Sequence, residues 1–269
     1  MRRVQLFEFE DQTWLPRMFR DYLTTLLHYQ ITSSRVYAPA ARKLKDGMQQ
    51  ANCTQIVDLG SGGGGPLIQI QEILEREEAF PVSVLLTDKF PNSRAIKVIR
   101  ASSGNIQYED HPVDITSIPS RLKGFRTLFT CFHHFDPDTA VRILQNAVDE
   151  MAPIAAFEFT NRRPSNIAGM LLSPIAVLFD TARVSPFRWG RLIWTYLLPV
   201  VPFMYWWDGT VSHLRTYTVA ELQELVSRVK AVSYEWEIGE LESGQGSDPV
   251  TFLIGKPGKG SSANYANRR

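Results

Sequence analysis

The run Gln55-Ile-Val-Asp-Leu-Gly-Ser-Gly-Gly-Gly-Gly constrains this chain more than any other stretch. A short β-branched segment that ends in glycines reads as a buried strand entering a tight loop. Pro66 to Glu78 then reads as a helix, with Pro66 near a start where its missing N–H is not needed. Strand, glycine loop and helix in that order form the opening unit of an α/β sheet whose ligands bind at the carboxyl ends of its strands.

The rest of the chain repeats the alternation. Val82 to Thr87 reads as a second strand with Asp88 at its end, and Ser93 to Ala101 as a helix. Ile106 to Tyr108 is a third strand, followed by a loop carrying Asp114. Arg126 to Phe132 is a fourth strand, Asp138 to Met151 a helix and Ile154 to Phe159 a fifth strand. Thr218, with Glu221 three places on, opens a helix to Val229 by a capping box. Tyr234 to Ile238 and Val250 to Ile254 close the fold as a hairpin. Trp14 to Gln50 reads as helices. The expected class is therefore α/β: a doubly wound, mainly parallel sheet with a C-terminal antiparallel hairpin, N-terminal helices and a helical apolar insertion. The expected divisions are 1–52 as a helical cap, 53–165 and 208–256 as the core, 166–207 as the insertion and 257–269 as a disordered tail.

Residues Val57 to Gly65 suit two ligands. Gly60, Gly62 and Gly65 satisfy a dinucleotide fingerprint, while Asp58, Gly60, Gly62 and Gly64 satisfy D-x-G-x-G-x-G. A pyrophosphate against the helix N-terminus is opposed by a carboxylate at the mouth of the loop. A ligand with an ammonium and a sulfonium is helped by it. Asp58 thus selects a cationic methyl donor, S-adenosylmethionine, over a nicotinamide dinucleotide. Asp88 is placed to accept both ribose hydroxyl protons, and Asp114 to accept from the adenine amino group. The three acids in this order resemble the class I methyltransferase superfamily, over roughly Gln55 to Gly255. The resemblance implies a Rossmann-like fold and a cofactor set of Asp58, Gly60, Ser61, Gly62, Gly64, Asp88, Lys89, Asp114 and Ile115. Each acid also has a plain structural reading: Asp58 as a helix cap, Asp88 as a strand-end turn former, Asp114 as a loop residue.

The fourth strand ends in Cys-Phe-His-His-Phe-Asp-Pro-Asp (Cys131 to Asp138), where a transferred methyl group would arrive. An imidazole suits proton removal from a hydroxyl or amine acceptor. This stretch resembles the His-Asp-Trp segment of small-molecule O-methyltransferases, which implies His133 as the general base. His134 and Phe135 stand where that family has Asp and Trp. Glu158, ending the fifth strand, is placed to orient the histidine or touch the substrate. The Asn/Asp-Pro-Pro-Tyr/Phe and Pro-Cys patterns of base-methylating enzymes are absent, and net charge is only +1, with 29 basic residues against 28 acidic. Nucleic acid is therefore not an expected partner. Two cysteines, Cys53 and Cys131, lack metal-ligand spacing, so no metal is expected and a reduced cytoplasmic chain fits best. No apolar signal core follows Met1-Arg-Arg.

Asn166 to Trp207 holds four of the six tryptophans, and its only charges are Asp180, Arg183, Arg188 and Arg191. Leu192 to Trp207 carries none, yet at sixteen residues it is shorter than the roughly 20 needed to span a bilayer. Three uses remain open: a helical insert or dimer contact, an apolar cap over the substrate, or a peripheral membrane contact. The reading that emerges is a methyltransferase acting on a hydroxyl (or amine) of a small apolar or lipid-like molecule. The alternatives are a protein or peptide acceptor, or a non-catalytic cofactor-binding module.

Overall fold

A computed structural model describes residues 1–101, 104–242 and 249–258. Along the chain the strands are β1 (Gln55–Leu59), β2 (Ser83–Thr87), β3 (Ile106–Tyr108), β4 (Phe125–Phe129), β5 (Ile154–Glu158), β6 (Tyr234–Leu241) and β7 (Val250–Pro257). The helices are α1 (Arg17–Ser34), α2 (Ala38–Gln50), α3 (Leu67–Arg76), α4 (Ser93–Ala101), α5 (Pro137–Asp149), α6 (Pro164–Gly169), α7 (Ser173–Asp180), α8 (Trp189–Leu192), α9 (Val200–Arg215) and α10 (Val219–Ser227). The chain forms two compact units. One comprises residues 35–159 and 218–269, the other residues 1–34 and 160–217.

The first unit is built on one seven-stranded sheet of order β3-β2-β1-β4-β5-β7-β6. β1 to β5 run parallel, and β7 lies antiparallel between β5 and β6. The fold is Rossmann-like and doubly wound, with the closing hairpin expected from the sequence. Every residue of β4 and β5 is buried, as strands covered on both faces require. The order reverses between β1 and β4. That reversal opens a crevice at their carboxyl ends, where such sheets bind ligands. Thr218 and Glu221 form the complete capping box that starts α10.

Several boundaries differ from the sequence reading. β4 stops at Phe129, short of Phe132, because Thr130 takes φ 53° and turns the chain out of the sheet. Phe132–His134 then form a 3-10 turn. The hairpin strands are eight residues each, paired from Tyr234 with Pro257 to Leu241 with Val250. Pro257, assigned to the tail, thus ends β7, and the rest of the expected tail from 259 onward lies outside the described residues. The two units also divide the chain at places other than 52, 165 and 207. α2 sits with the sheet: its face of Ala40, Ala41, Leu44 and Met48 is fully buried, and Gly47 lies against Phe125 of β4.

The second unit packs α1 with the helices of residues 164–215. Its core holds Leu15, Tyr22, Leu23 and Leu26 against Val177, Val184, Val201 and Met204. Three arginines are buried within it, Arg162, Arg191 and Arg215, and Arg162 donates to the Met1 carbonyl. Arg215 is paired with Glu8 and Asp11, and Arg191 donates to the Val184 and Pro186 carbonyls.

Candidate functional site

The loop after β1 is held from beneath by a carboxylate. Asp58 is 2% exposed, and its two oxygens accept hydrogen bonds from Thr127 Oγ1 of β4 (2.7 Å) and Ser61 Oγ (2.6 Å). Ser61 Oγ in turn accepts from the Thr87 N–H, while Thr87 Oγ1 donates to the Asp58 carbonyl. The result ties the ends of β1, β2 and β4 to the first turn of the loop. Asp58 thus enters the loop from the end of β1, buried and with both oxygens engaged. Burial pushes its carboxyl from 3.8 up to about 7, against the opposing pull of the Ser61 and Thr127 hydrogen bonds.

The glycines are needed for shape. Gly60, Gly62, Gly64 and Gly65 all have positive φ, which L side chains rarely adopt. A Cβ at Gly60 would press on Cys131 Sγ at 3.2 Å and approach Ile115 Cδ1 at 3.5 Å. A Cβ at Gly63 would meet nothing within 4 Å, so the crown of the loop faces open space.

Asp88 and Asp114 sit beside this loop in different ways. Asp88 accepts from the Gly62 N–H (2.7 Å) and from the Phe90 N–H (2.7 Å), so it already grips the loop. The Val113 N–H donates to the Asp88 carbonyl, which brings the Asp114 segment alongside. Asp114 accepts from the N–H and hydroxyl of Thr116 and pairs with Lys89 Nζ at 3.1 Å. The Thr116 hydroxyl and N–H, with Lys89, hold its carboxyl below the ordinary range.

The chemistry-bearing pair lies past β4. His133 is 1% exposed, and its Nδ1 is 2.8 Å from Glu158 Oε2. The other Glu158 oxygen accepts from the N–H groups of Phe132 and His133. An ionised carboxylate only accepts, so against it a neutral ring carries its proton at Nδ1 and has its lone pair at Nε2. His134 stacks on His133 with ring centroids 4.4 Å apart. The structure thus brings His133 and Glu158 together, and likewise Asp58 with Ser61, Gly62 with Asp88, Lys89 with Asp114, and Ile115 with Gly60.

Three residues were not singled out from the sequence. Thr127 is the one hydroxyl inside a fully buried strand, a legible signal in retrospect. Tyr108 ends β3 and donates to the Gly62 carbonyl at 2.7 Å. Tyr37, fully buried, donates to the Phe157 carbonyl, accepts from the Phe159 N–H and bonds the Thr130 hydroxyl. Burial, and then the charge of Glu158, push its phenol far above the ordinary value. His213 and Tyr217 are engaged within the helical unit. His213 Nδ1 meets the Asn161 main chain, and Arg3 lies over the Tyr217 ring.

No family model and no curated protein matches the chain. Several solved structures do. One is a putative zinc-dependent alcohol dehydrogenase from Rhodobacter sphaeroides, 12% identical over 88% of this chain and 98% of that one, TM-score 0.50. Another is human N-acetylserotonin methyltransferase in complex with S-adenosylmethionine, 12% identical over 90% and 58%, TM-score 0.48. A third is mitomycin 7-O-methyltransferase, 15% identical over 93% and 70%, TM-score 0.47. The chain spans about half the length of some of these, 58% of the human enzyme and 46% of LepI solved with S-adenosylmethionine. What they share with this chain is the fold. The proteins are named for different chemistries, so the site has to speak for the reaction.

Proposed function

We propose that the sheet unit binds S-adenosylmethionine and moves its methyl group to a hydroxyl, or less favourably an amine, of a small apolar or lipid-like molecule. One observation carries this reading: a glycine loop with positive φ at the strand-order reversal is flanked by Asp58 of β1, Asp88 just after β2 and Asp114 in the loop after β3. The Gly62 N–H, a group that a pyrophosphate would take, is already engaged by a carboxylate. The open crown at Gly63 gives the cofactor room without displacing a side chain.

In this reading Asp88 accepts from the ribose hydroxyls with its remaining lone pairs, and Asp114 accepts from the adenine amino group. Ile115 presents an apolar wall, and Lys89 holds Asp114 in place. Gly60, Gly62 and Gly64 let the backbone approach, and Ser61 fixes the turn. Asp58 acts through its potential rather than by contact. The cofactor, when bound, supplies a methyl group already activated by a sulfonium. The chain's own tasks are alignment and proton removal. Glu158 fixes the His133 tautomer, so that Nε2 is the nitrogen that takes the acceptor's proton.

Transfer of labelled methyl groups into a cell extract, with products identified by mass, tests the proposal. Label on a hydroxyl of an apolar small molecule is the expected result. Label confined to protein would move the acceptor to a peptide side chain. Cofactor binding with no transfer across a broad acceptor panel would make the unit a non-catalytic module.

A further inference from the structure

The helical unit leaves its largest apolar side chains in solvent, and they are ordered rather than scattered. Leu171, Ile175, Leu178 and Phe179 recur at helical spacing along the 3-10 turn Met170–Leu172 and α7. Trp189, Ile193, Tyr196 and Leu197 repeat the same spacing along α8 and the π-helical turn Ile193–Leu197. Only Val177 of α7 is buried. Phe179 is 66% exposed, Leu172 65%, and Trp189 and Leu197 75% each. The two faces join, because the Tyr196 hydroxyl donates to the Leu178 carbonyl. Apolar side chains on one helical face are what a core or an interface uses, and the core of this unit is already filled from the opposite side.

Charge identifies the occupant. Residues 1–34 and 160–217 carry ten arginines and no lysine against six acids, whereas the sheet unit carries nineteen bases against twenty-two acids. The near-neutral total therefore conceals a cationic unit, and it is the one with the exposed apolar face. Between Asn161 and Trp207 Asp180 is the single acid, and it is engaged by Gln30 and Arg183. Arg183, 61% exposed at its side chain, stands three residues beyond α7, and Trp189 and Tyr196 are types that settle at a bilayer surface. No helix among the described residues is long and apolar enough to cross a membrane. Short apolar helical faces whose single acid, Asp180, is already engaged, edged by Arg183 and aromatics, match the surface of an anionic bilayer, with burial to the depth of the headgroups.

We infer that the joined faces of residues 171–179 and 189–197 dock this protein on an anionic lipid surface. The inference does not depend on the reaction proposed above. Flotation of the full chain with vesicles tests it, using phosphatidylcholine alone and phosphatidylcholine with about 30 mole per cent phosphatidylglycerol. The expected result is flotation with the anionic vesicles only, weakened by about 0.5 M salt. The pair Leu172→Asp and Phe179→Asp should weaken it about tenfold or more, with melting temperature and circular dichroism unchanged. These side chains lie in solvent, so folding is not at stake. Flotation with neither vesicle, equal flotation with both, or flotation indifferent to the pair would each overturn the inference. So would a wild-type dimer that the pair dissociates in the absence of vesicle binding, which would assign the face to a second copy.

Discussion

The sheet unit and the helical unit both bury charged groups, but they differ in what they leave in solvent. The first draws a carboxylate, three hydroxyls and a histidine inside at Asp58, Ser61, Thr87, Thr127 and His133, and each has a partner at hydrogen-bond distance. The second leaves leucine, phenylalanine and tryptophan outside. Burying a charge needs compensation from every neighbour, so a cluster of buried polar groups marks a place where a precise field is maintained. Exposed apolar side chains on one face mark a surface that something else covers. The proposed reaction rests on the first of these features, and the inferred docking on the second.

The sharpest break between the two should come at His133, the proposed base. His133→Ala should lower turnover about 10²- to 10⁴-fold while leaving cofactor affinity within about twofold, read by single-turnover rates and calorimetry. Loss of cofactor binding instead would move His133 to the cofactor wall.

Asp58 comes next, with effects of opposite sign on stability and binding. Its carboxyl is at about 7 in the folded chain against 3.8 unfolded. The unfolded chain therefore gives up the proton first as pH rises, so stability falls between about pH 4 and 7 and is level above, by about 4 kcal/mol at most. Asp58→Asn should remove that slope, raise the melting temperature at about pH 8, and weaken cofactor binding about tenfold. Thermal melts across pH check the first part. A variant less stable than wild type at pH 8 would show the carboxylate to be favourable where it lies.

Smaller effects should follow at the periphery of each region. Thr127→Val removes one of the two hydroxyls on Asp58 and should cost about 1–2 kcal/mol in denaturant melts. In the helical unit, Leu172→Asp should change stability by less than about 0.5 kcal/mol, although leucine is among the residues most costly to alter in a core. A loss comparable to that of Thr127→Val would show the outer face to be packed.

Much of the sheet was legible because each strand ends where its chemistry changes: β1 in glycines, β2 in Asp88, β5 in Glu158. The end of β4 was not, because nothing in Phe-Thr-Cys-Phe announces the positive φ of Thr130. The acids of the site were legible as residue types, but the depth of Asp58 was not. Its burial depends on Thr127, 69 positions away, whose hydroxyl reaches it only when β1 and β4 pair. Tyr37 was invisible for the same reason, since its partners just after β4 and on β5 lie 93 and 120 positions further on. The exposure of the apolar faces was equally hidden: sequence shows that residues 166–207 are apolar, and only packing shows which of them remain outside.

Calorimetric titration with S-adenosylmethionine and with NAD, each at about pH 6 and 8, bears most directly on the glycine loop. A cationic ligand favours the ionised form of Asp58, so binding should release protons and tighten as pH rises through about 7. The expected result is saturable binding of S-adenosylmethionine, stronger at the higher pH, and no heat with NAD. Tight NAD binding that weakens with rising pH, with no response to S-adenosylmethionine, would contradict the assignment of this loop to a methyl donor.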